Sequence, residues 1–147
     1  MKMKKILFPT DFSTSGDSAL GYATSLARDT GATLLIVHVE EPPLAYGGGE
    51  MYYGVPDPDQ TELLKMLEAV VPTDPNVNFE HRLVSGDPSD AVVRLAEEEH
   101  ADLIVMGTHG RTGLKRLLMG SVAEAIVRRA KCPVLTLKDG AGASAGT

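Results

Sequence analysis

Residues 32–39 read ATLLIVHV, an unbroken apolar run with several β-branched members. Such a run is typical of a strand that is covered on both faces, as the strands of a parallel sheet are. Gly31 precedes it and can end a helix, and a segment rich in proline and glycine follows it at 41–56. The run therefore indicates an α/β protein built around a buried strand at 32–39.

Four further segments predict strands: three are short and mainly apolar, and the one at 77–84 alternates imperfectly between apolar and polar residues. These strands are expected at 4–8, 77–84, 103–106 and 134–137.

Helix-forming patterns separate these strands. Capping residues at 13–17 precede apolar positions at helical spacing up to residue 27. Asp57-Pro58-x-Gln60 resembles the N-cap, N1 and N3 positions of a second helix, whose apolar side chains end before Pro72. The apolar face predicted for this second helix consists of Leu63, Leu64, Leu67, Val70 and Val71.

Two more helices follow in the second half of the chain. Asp87-Pro88 repeats the cap-and-proline signal and begins a helix that runs to about Glu99. Residues 121–130 form the last helix, and Ser121 with Glu124 matches a capping box.

Strands thus alternate with helices along the whole chain, which implies crossovers onto a single parallel sheet. We expect an open five-stranded sheet of order 3-2-1-4-5 in a Rossmann-like, three-layer α/β/α domain. This domain spans residues 1–138, and the small polar residues at 139–147 form a flexible tail.

Composition excludes several classes of protein. The 147 residues carry a formal net charge of −6, which disfavours a protein that coats nucleic acid or an anionic membrane. No apolar run reaches the roughly 18 residues that span a bilayer, and the short run after the N-terminus does not resemble a signal peptide. The one cysteine, Cys132, cannot form an internal disulfide, which suits a cytoplasmic location.

Ligands of open parallel sheets bind beyond the carboxyl ends of the strands, where the strand order reverses. For order 3-2-1-4-5 this point lies between strands 1 and 4, so that Asp11 and Gly107 face each other across the crevice.

Residues 107–122, GTHGRTGLKRLLMGSV, follow strand 4 and contain the clearest ligand-binding signal. The glycines permit tight turns and a close approach of the backbone to a ligand. Arg111, Lys115 and Arg116 are positive, and the helix that begins after Gly120 offers free N–H groups to an anion. The segment predicts a phosphate site, although it matches neither the Walker A pattern nor G-x-G-x-x-G.

The spacing Gly107-x2-Gly110-x9-Gly120-Ser121 resembles the nucleotide-binding motif of the universal stress proteins. The resemblance extends over roughly residues 3–138. It includes KKILFPTDFS at 4–13, IVHVEEP at 36–42, ADLIVMGTHGR at 101–111 and KCPVLTL at 131–137.

This resemblance implies an ATP site, with Mg²⁺ held through Asp11. The Asp11 carboxylate would contact the ribose, the backbone of Val39 would contact adenine, and N–H groups after strand 4 would hold the phosphates with the Ser121 hydroxyl. The residues implied in nucleotide binding are Pro9, Thr10, Asp11, Val39, Met106, Gly107, His109, Gly110, Arg111, Gly120, Ser121 and Val122. The family also forms homodimers through its last strand, here residues 133–137, from Pro133 to Leu137.

Several of these residues have simpler interpretations. Asp11 could be a turn or N-cap residue, Ser121 could belong to the capping box, and His109 could be an ordinary loop residue. His38, inside an apolar strand, is expected to be a hydrogen-bonded core histidine, and Cys132 is expected to be buried rather than reactive.

Three functions remain open from the sequence. The first is a nucleotide-binding regulatory module of the stress response with at most slow ATP hydrolysis. The second is an ATP-consuming enzyme, such as a phosphotransferase, nucleotidyl transferase or hydrolase. The third is a homodimeric interaction protein with a vestigial pocket. Fast phosphoryl transfer needs a positioned nucleophile and metal ligands, and only Asp11 is an obvious metal-side carboxylate here.

Overall fold

The computed structural model describes residues 2–13, 16–41, 59–108 and 120–138. Five parallel strands form one sheet of order β3-β2-β1-β4-β5, as predicted. The strands are β1 (Lys5–Pro9), β2 (Thr33–Glu40), β3 (Phe79–Ser85), β4 (Leu103–Gly107) and β5 (Val134–Leu137). The helices are α1 (Asp17–Thr30), α2 (Gln60–Glu68), α3 (Pro88–Glu98) and α4 (Ser121–Arg129). The predictions at 42–58, 109–119 and 139–147 lie outside the described residues.

Two hydrophobic cores cover the two faces of the sheet. On one face, Ile6 and Phe8 of β1 pack with α1 and α2. On the other face, Leu7 packs with α3 and α4. The helices change face where the chain passes from β3 across β1 to β4, as crossovers of one hand require when the direction of winding reverses. The reversal leaves a crevice between β1 and β4 at their carboxyl ends.

Strand positions were predicted to within two residues. Strand β1 includes Pro9, β2 includes Glu40 and β4 includes Gly107, each one residue beyond its predicted end. Strand β3 begins at Phe79 rather than Val77, because the backbone at 73–77 forms bends and turns. The predicted stop of α1 is confirmed, since Gly31 has φ 79° and its N–H donates to the Ala27 carbonyl.

The start of α1 falls within the predicted group 13–17, whereas the predicted start of α2 is wrong. Helix α1 has Gly16 as its N-cap and no side-chain capping bond, although the preceding residues are capping types. Helix α2 is capped by Asp59, which accepts from the Glu62 N–H at 2.9 Å, and not by Asp57. The helix therefore starts two residues later than predicted, and its cap at Asp59 follows the same pattern as the confirmed cap of α3 at Asp87.

The predicted apolar face of α2 is only partly buried. Leu63 and Leu67 lie in the interior, whereas Leu64 and Val71 are exposed. Val71 and the neighbouring Val70 follow the last helical residue, Glu68, so helical spacing no longer decides which way they face.

Asp102 ties the amino ends of β1 and β4 together. Its Oδ2 accepts from the Lys4 N–H at 2.8 Å and the Lys5 N–H at 3.0 Å. These two bonds hold the pKa of Asp102 below its ordinary value of 3.8. The ionised carboxylate therefore stabilises the folded state.

Lowering the pH is expected to weaken this stabilisation. Because the folded pKa of Asp102 lies below the unfolded one, its contribution is full above the unfolded pKa of about 3.8 and is lost as pH falls through the folded pKa. Asp102→Asn should lower the free energy of unfolding at pH 7 by about 1 kcal/mol and reduce its fall with acid. Asp87 and Glu99 also have lowered pKa values, so part of the pH dependence remains.

Urea unfolding at a series of pH values between 2 and 7, a range chosen around the ordinary carboxyl pKa values, measures this effect. Asp29→Asn is the matched control, because the Asp29 side chain is 67% exposed and forms an exposed ion pair with its neighbour Arg28. If the two variants show the same pH dependence, Asp102 does not stabilise the fold through its charge.

Candidate functional site

A cavity of about 330 Å³ opens at the carboxyl ends of β1, β2 and β4, at the point where the strand order reverses. Its size is within the range of ligand sites, roughly 300–1,000 Å³. Asp11 and Gly107 both line it, which agrees with their predicted positions on either side of the crevice.

Most of the predicted site residues come together in this cavity. Those that line it are Pro9, Thr10, Asp11, Val39, Met106, Gly107, Gly120, Ser121 and Val122. The other three, His109, Gly110 and Arg111, lie outside the described residues. Residues far apart in sequence thus share one cavity because the ends of β1, β2 and β4 meet the start of α4.

The cavity has further lining residues that were not predicted from the sequence. They are Ser13, Gly16, His38, Glu41, Pro88, Val92, Thr108, Ala123 and Ile126. Pro88 and Val92 belong to the start of α3, and the order of elements alone could have placed them there. Ala123 and Ile126 have the spacing of a buried helix face, so the sequence pattern does not distinguish them from core residues.

The lining divides into an apolar and a polar part. Val39, Val92, Met106 and Ile126 belong to, or pack against, the core that α3 and α4 cover. The polar part comes from the turn after β1, from Gly107 and from the first turn of α4. An apolar compartment beside backbone donors suits a ligand with a flat apolar ring and an anionic group.

The turn after β1 is fixed by its own hydrogen bonds. The Ser13 N–H donates to Asp11 Oδ1 at 2.9 Å, and the Phe12 N–H donates to Thr10 Oγ1 at 3.0 Å. The Asp11 carboxylate therefore does act in a turn, as the simpler interpretation expected. One of its two oxygens makes this bond, and the residue also lines the cavity, so the two roles are compatible.

Helix α4 begins at the cavity, and its N-cap residue does not cap it with a side chain. Its N-cap is Gly120, which has no side-chain capping bond, and the Glu124 N–H donates to the Gly120 carbonyl at 2.9 Å. Helix geometry leaves the N–H groups of the first turn, residues 121–123, without acceptors inside the helix. These donors and the helix dipole favour an anion.

The predicted capping box at Ser121 is wrong. Ser121 is the first helical residue rather than the N-cap, so its hydroxyl does not stand in the capping position. Glu124 accepts from Arg128 Nη2 at 2.9 Å along the exposed side of the helix. The Glu124 carboxylate therefore does not cover the helix start, where it would repel a phosphate.

Gly120 was implied as one of the residues whose N–H groups hold the phosphates, and the structure gives its N–H another acceptor. Its N–H donates to the Thr108 carbonyl at 2.7 Å, so this amide is engaged within the protein. The Thr108 N–H in turn donates to the Leu137 carbonyl at 2.9 Å. These two bonds join the residues that flank segment 109–119, Thr108 and Gly120, to each other and to β5. The N–H groups after Gly120, which belong to the first turn of α4, are not part of these bonds.

His38 agrees with its expected structural role, whereas Cys132 is only partly buried and not in the interior as expected. His38 is 7% exposed, and its Nδ1 lies 2.8 Å from the Thr10 carbonyl oxygen. Burial raises the pKa of the Cys132 thiol, which therefore stays protonated and unreactive at neutral pH.

Charged side chains in the described part of the cavity are acidic. Asp11 and Glu41 line it, and the cations near it in sequence, Arg111, Lys115 and Arg116, lie outside the described residues. Among the residues that the structure describes, no group of three or more His, Cys, Asp or Glu side chains could hold a metal ion. None of the helices in the described ranges, 2–13, 16–41, 59–108 and 120–138, is long and apolar enough to cross a bilayer.

Comparison with known proteins gives a consistent result. The model of the universal stress protein family matches residues 2–138. Universal stress protein MJ0531 of Methanocaldococcus jannaschii is 36% identical over 140 residues, which cover 92% of this chain and 82% of that protein. Universal stress protein A homolog 1 of Coxiella burnetii is 36% identical over 141 residues, which cover 93% of this chain and 97% of that protein.

Solved structures share the fold over nearly the whole chain. The structure of the hypothetical protein MJ0577 superposes with a TM-score of 0.69 at 30% identity and covers 94% of this chain and 97% of that one. A universal stress protein in complex with cAMP superposes with a TM-score of 0.62 at 29% identity, covering 95% of this chain and 99% of that one. With its strand order, its cavity and these matches, the chain belongs to the universal stress protein family.

Proposed function

We propose that this chain binds an adenine nucleotide, ATP with Mg²⁺, and acts as a regulatory module of the stress response. The observation that carries the proposal is the cavity at the strand ends, which combines an apolar compartment with the start of α4, whose N-cap Gly120 has no side chain to cap it. A related universal stress protein was solved with cAMP, which also contains adenine, ribose and phosphate. The likeness supports nucleotide binding by this chain.

Each part of the nucleotide has a suitable partner. Adenine would enter the apolar compartment, with its edge against the backbone of Val39. The ribose hydroxyls would donate to Asp11 Oδ2, which is not the oxygen that accepts from the Ser13 N–H. The phosphates would accept from the N–H groups of Ser121 and Val122 and from the Ser121 hydroxyl. Pro9, Thr10, Met106 and Gly107 would border the nucleoside.

Segment 109–119 would complete the phosphate site. His109, Gly110 and Arg111 lie between Thr108 and Gly120, whose backbones are bonded at 2.7 Å. This bond brings the two flanking residues, Thr108 and Gly120, together at the start of α4, where we place the phosphates. Arg111 would offset the acidity of the cavity with a charge that pairs well with phosphate.

The donors also fit Mg²⁺ that arrives with the nucleotide. Proteins commonly hold this ion through one or two carboxylates together with phosphate oxygens of the substrate, and Asp11 can supply one carboxylate. When bound, the ion would neutralise charge on the phosphates.

A fast enzyme is the less favoured alternative. The described cavity offers Asp11 and Glu41 but no arrangement of nucleophile, base and metal ligands. We therefore expect ATP turnover below the roughly 1–100 s⁻¹ of kinases. Phosphate release by protein free of contaminating ATPase measures it, and a rate inside that range would favour the enzyme.

The proposal is tested by identifying what the protein binds. Mass spectrometry of small molecules released from the purified protein, followed by calorimetric titration with ATP and Mg²⁺, gives the ligand and its affinity. Protein that neither retains nor binds adenine nucleotide at millimolar concentration would instead be an interaction protein with a vestigial pocket.

We also propose that the chain forms a homodimer through β5. The two sheet edges differ: β3 carries Glu80 and Arg82, which form an ion pair at 2.9 Å, whereas β5 reads VLTL and has no charge. Charged side chains on an edge strand discourage pairing with another chain, and their absence permits it. The uncharged edge, Val134–Leu137, is the one that the family resemblance implies as the interface.

A further inference from the structure

His38 contacts the residues on both sides of Asp11. From β2, its Nδ1 lies 2.8 Å from the carbonyl oxygen of Thr10. Since a carbonyl oxygen can only accept, Nδ1 carries the hydrogen and donates it. The ring of His38 also lies against the ring of Phe12, with centroids 4.2 Å apart and planes inclined by 34°. One buried side chain thus fixes the residue before Asp11 and the residue after it.

The backbone at Phe12 needs such support. Phe12 has φ 68°, in the left-handed region that aromatic residues rarely adopt. A non-glycine residue in this region is strained and stays there only where its surroundings hold it. The bond from the Phe12 N–H to Thr10 Oγ1 contributes, and the ring contact with His38 contributes from outside the turn.

We propose that His38 is a positioning residue of the nucleotide site, holding the turn at 10–12 so that the Asp11 carboxylate faces the ribose. The inference rests on the proposed function, because it assigns His38 a role toward the same ligand. It differs from a purely structural role in one respect: the effect of His38 acts through Asp11, so it concerns the ribose hydroxyls and not the base or the phosphates.

The chain offers a matched control in His81. His81 of β3 has its Nε2 2.8 Å from the Val70 carbonyl oxygen and its ring 5.4 Å from that of Phe79. It therefore makes the same two kinds of contact as His38, but it does not line the cavity. Loss of its ring N–H should affect stability alone.

Two variants separate the contacts of His38. His38→Phe keeps an aromatic ring against Phe12 and removes the donor to Thr10. His38→Asn removes the ring and keeps an N–H close to the position of Nδ1. Titration of each variant with ATP and with 2′,3′-dideoxy-ATP, which lacks both ribose hydroxyls, measures whether the loss depends on the ribose.

We expect His38→Phe to weaken ATP binding about threefold to tenfold, the amount that one lost hydrogen bond typically costs. The affinity for dideoxy-ATP should change by less than about twofold, which is the usual deviation when two changes act independently. His38→Asn should recover part of the affinity for ATP. His81→Phe should leave the affinity for both nucleotides unchanged, and thermal unfolding shows that each variant is folded.

The inference is overturned if His38→Phe weakens both nucleotides equally, because the residue then acts on the fold as a whole. It is also overturned if His38→Phe further weakens ATP binding in an Asp11→Ala background, where a residue acting through Asp11 has no further effect. Wild-type protein that binds neither nucleotide would refute the proposed function itself. If wild-type protein binds both nucleotides with equal affinity, the nucleotide site stands and only the ribose role of Asp11 and His38 fails.

Discussion

Gly120→Asp is expected to weaken ATP binding at least about a hundredfold, or roughly 2.7 kcal/mol, without destabilising the fold. The new carboxylate would stand at the start of α4, accept from the first-turn N–H groups and occupy the place proposed for the phosphates. It would also repel them. Affinity and stability should therefore change in opposite directions, which few substitutions in a binding site do.

Helices α2 and α3, which have aspartate N-caps, show why Gly120→Asp should not lower the free energy of unfolding. Gly120 has φ −63° and ψ 156°, close to the backbone angles of Asp59 and Asp87. Both aspartates accept from the N–H group three residues later, at 2.9 and 3.1 Å. Aspartate at the N-cap is better than glycine by a few tenths of a kcal/mol. The bond from the N–H of residue 120 to the Thr108 carbonyl is unaffected, because it belongs to the backbone.

Gly120→Asn is the matched control, since asparagine caps a helix about as well as aspartate but carries no charge. It should reach the same thermal stability and lose only about tenfold in affinity, because it blocks N–H groups without repelling phosphate. Calorimetric titration with ATP and thermal unfolding of the three proteins measure both quantities. Wild-type affinity in Gly120→Asp would mean that the start of α4 does not hold the phosphates.

The strands and their order could be predicted because the signal is physical and local. A run such as 32–39 has no polar face, so it must be covered on both sides, and alternating helices then require a parallel sheet. Strand ends were less certain, because Pro9 and Gly107 continue the backbone ladder although neither is typical of a strand interior. Hydrogen bonding with a neighbouring strand decides such ends.

Helix starts failed where the chain offers more than one candidate cap. Asp57 and Asp59 are both good N-caps, and only the backbone geometry selects Asp59. Ser121 and Glu124 have the spacing of a capping box, but the extended angles at Gly120 make that residue the N-cap, one residue before the predicted cap, and the helix itself begins at Ser121 as predicted. Sequence spacing cannot distinguish these cases, since each depends on how the preceding segment enters the helix.

Site residues that directly follow a strand could be predicted from the sequence. Site residues within buried strands and helices could not, because their pattern is the same as that of core residues. Asp11 and Gly107 follow strands at the point where the order reverses, so topology alone places them together. His38 and Ile126 are buried, and a place in the core is enough to account for their positions in the sequence. Only the structure shows that they also line the cavity. The hydrogen bond of His38 to Thr10 joins β2 to the turn after β1, and no pattern within either segment reveals it.

Thr136→Pro is expected to convert the proposed dimer into a monomer at micromolar concentration while leaving the monomer folded. The Pro133 carbonyl, just before β5, accepts from the Ile104 N–H at 3.0 Å, and the Leu137 carbonyl at the end of β5 accepts from the Thr108 N–H at 2.9 Å. Backbone groups alternate in direction along a strand, so residues 133, 135 and 137 face β4 and Thr136 faces the open edge.

Proline at this position would remove an outward N–H and no bond to β4, and edge strands tolerate it. Leu135 before it is already extended, as the residue preceding a proline prefers. Thr136→Val is the control, because valine keeps both the N–H and the β-branched shape. Sedimentation of the three proteins gives their masses, and thermal unfolding shows whether the proline variant is folded. A folded Thr136→Pro variant that remains dimeric would place the interface elsewhere, and the uncharged edge at β5 would then need another explanation.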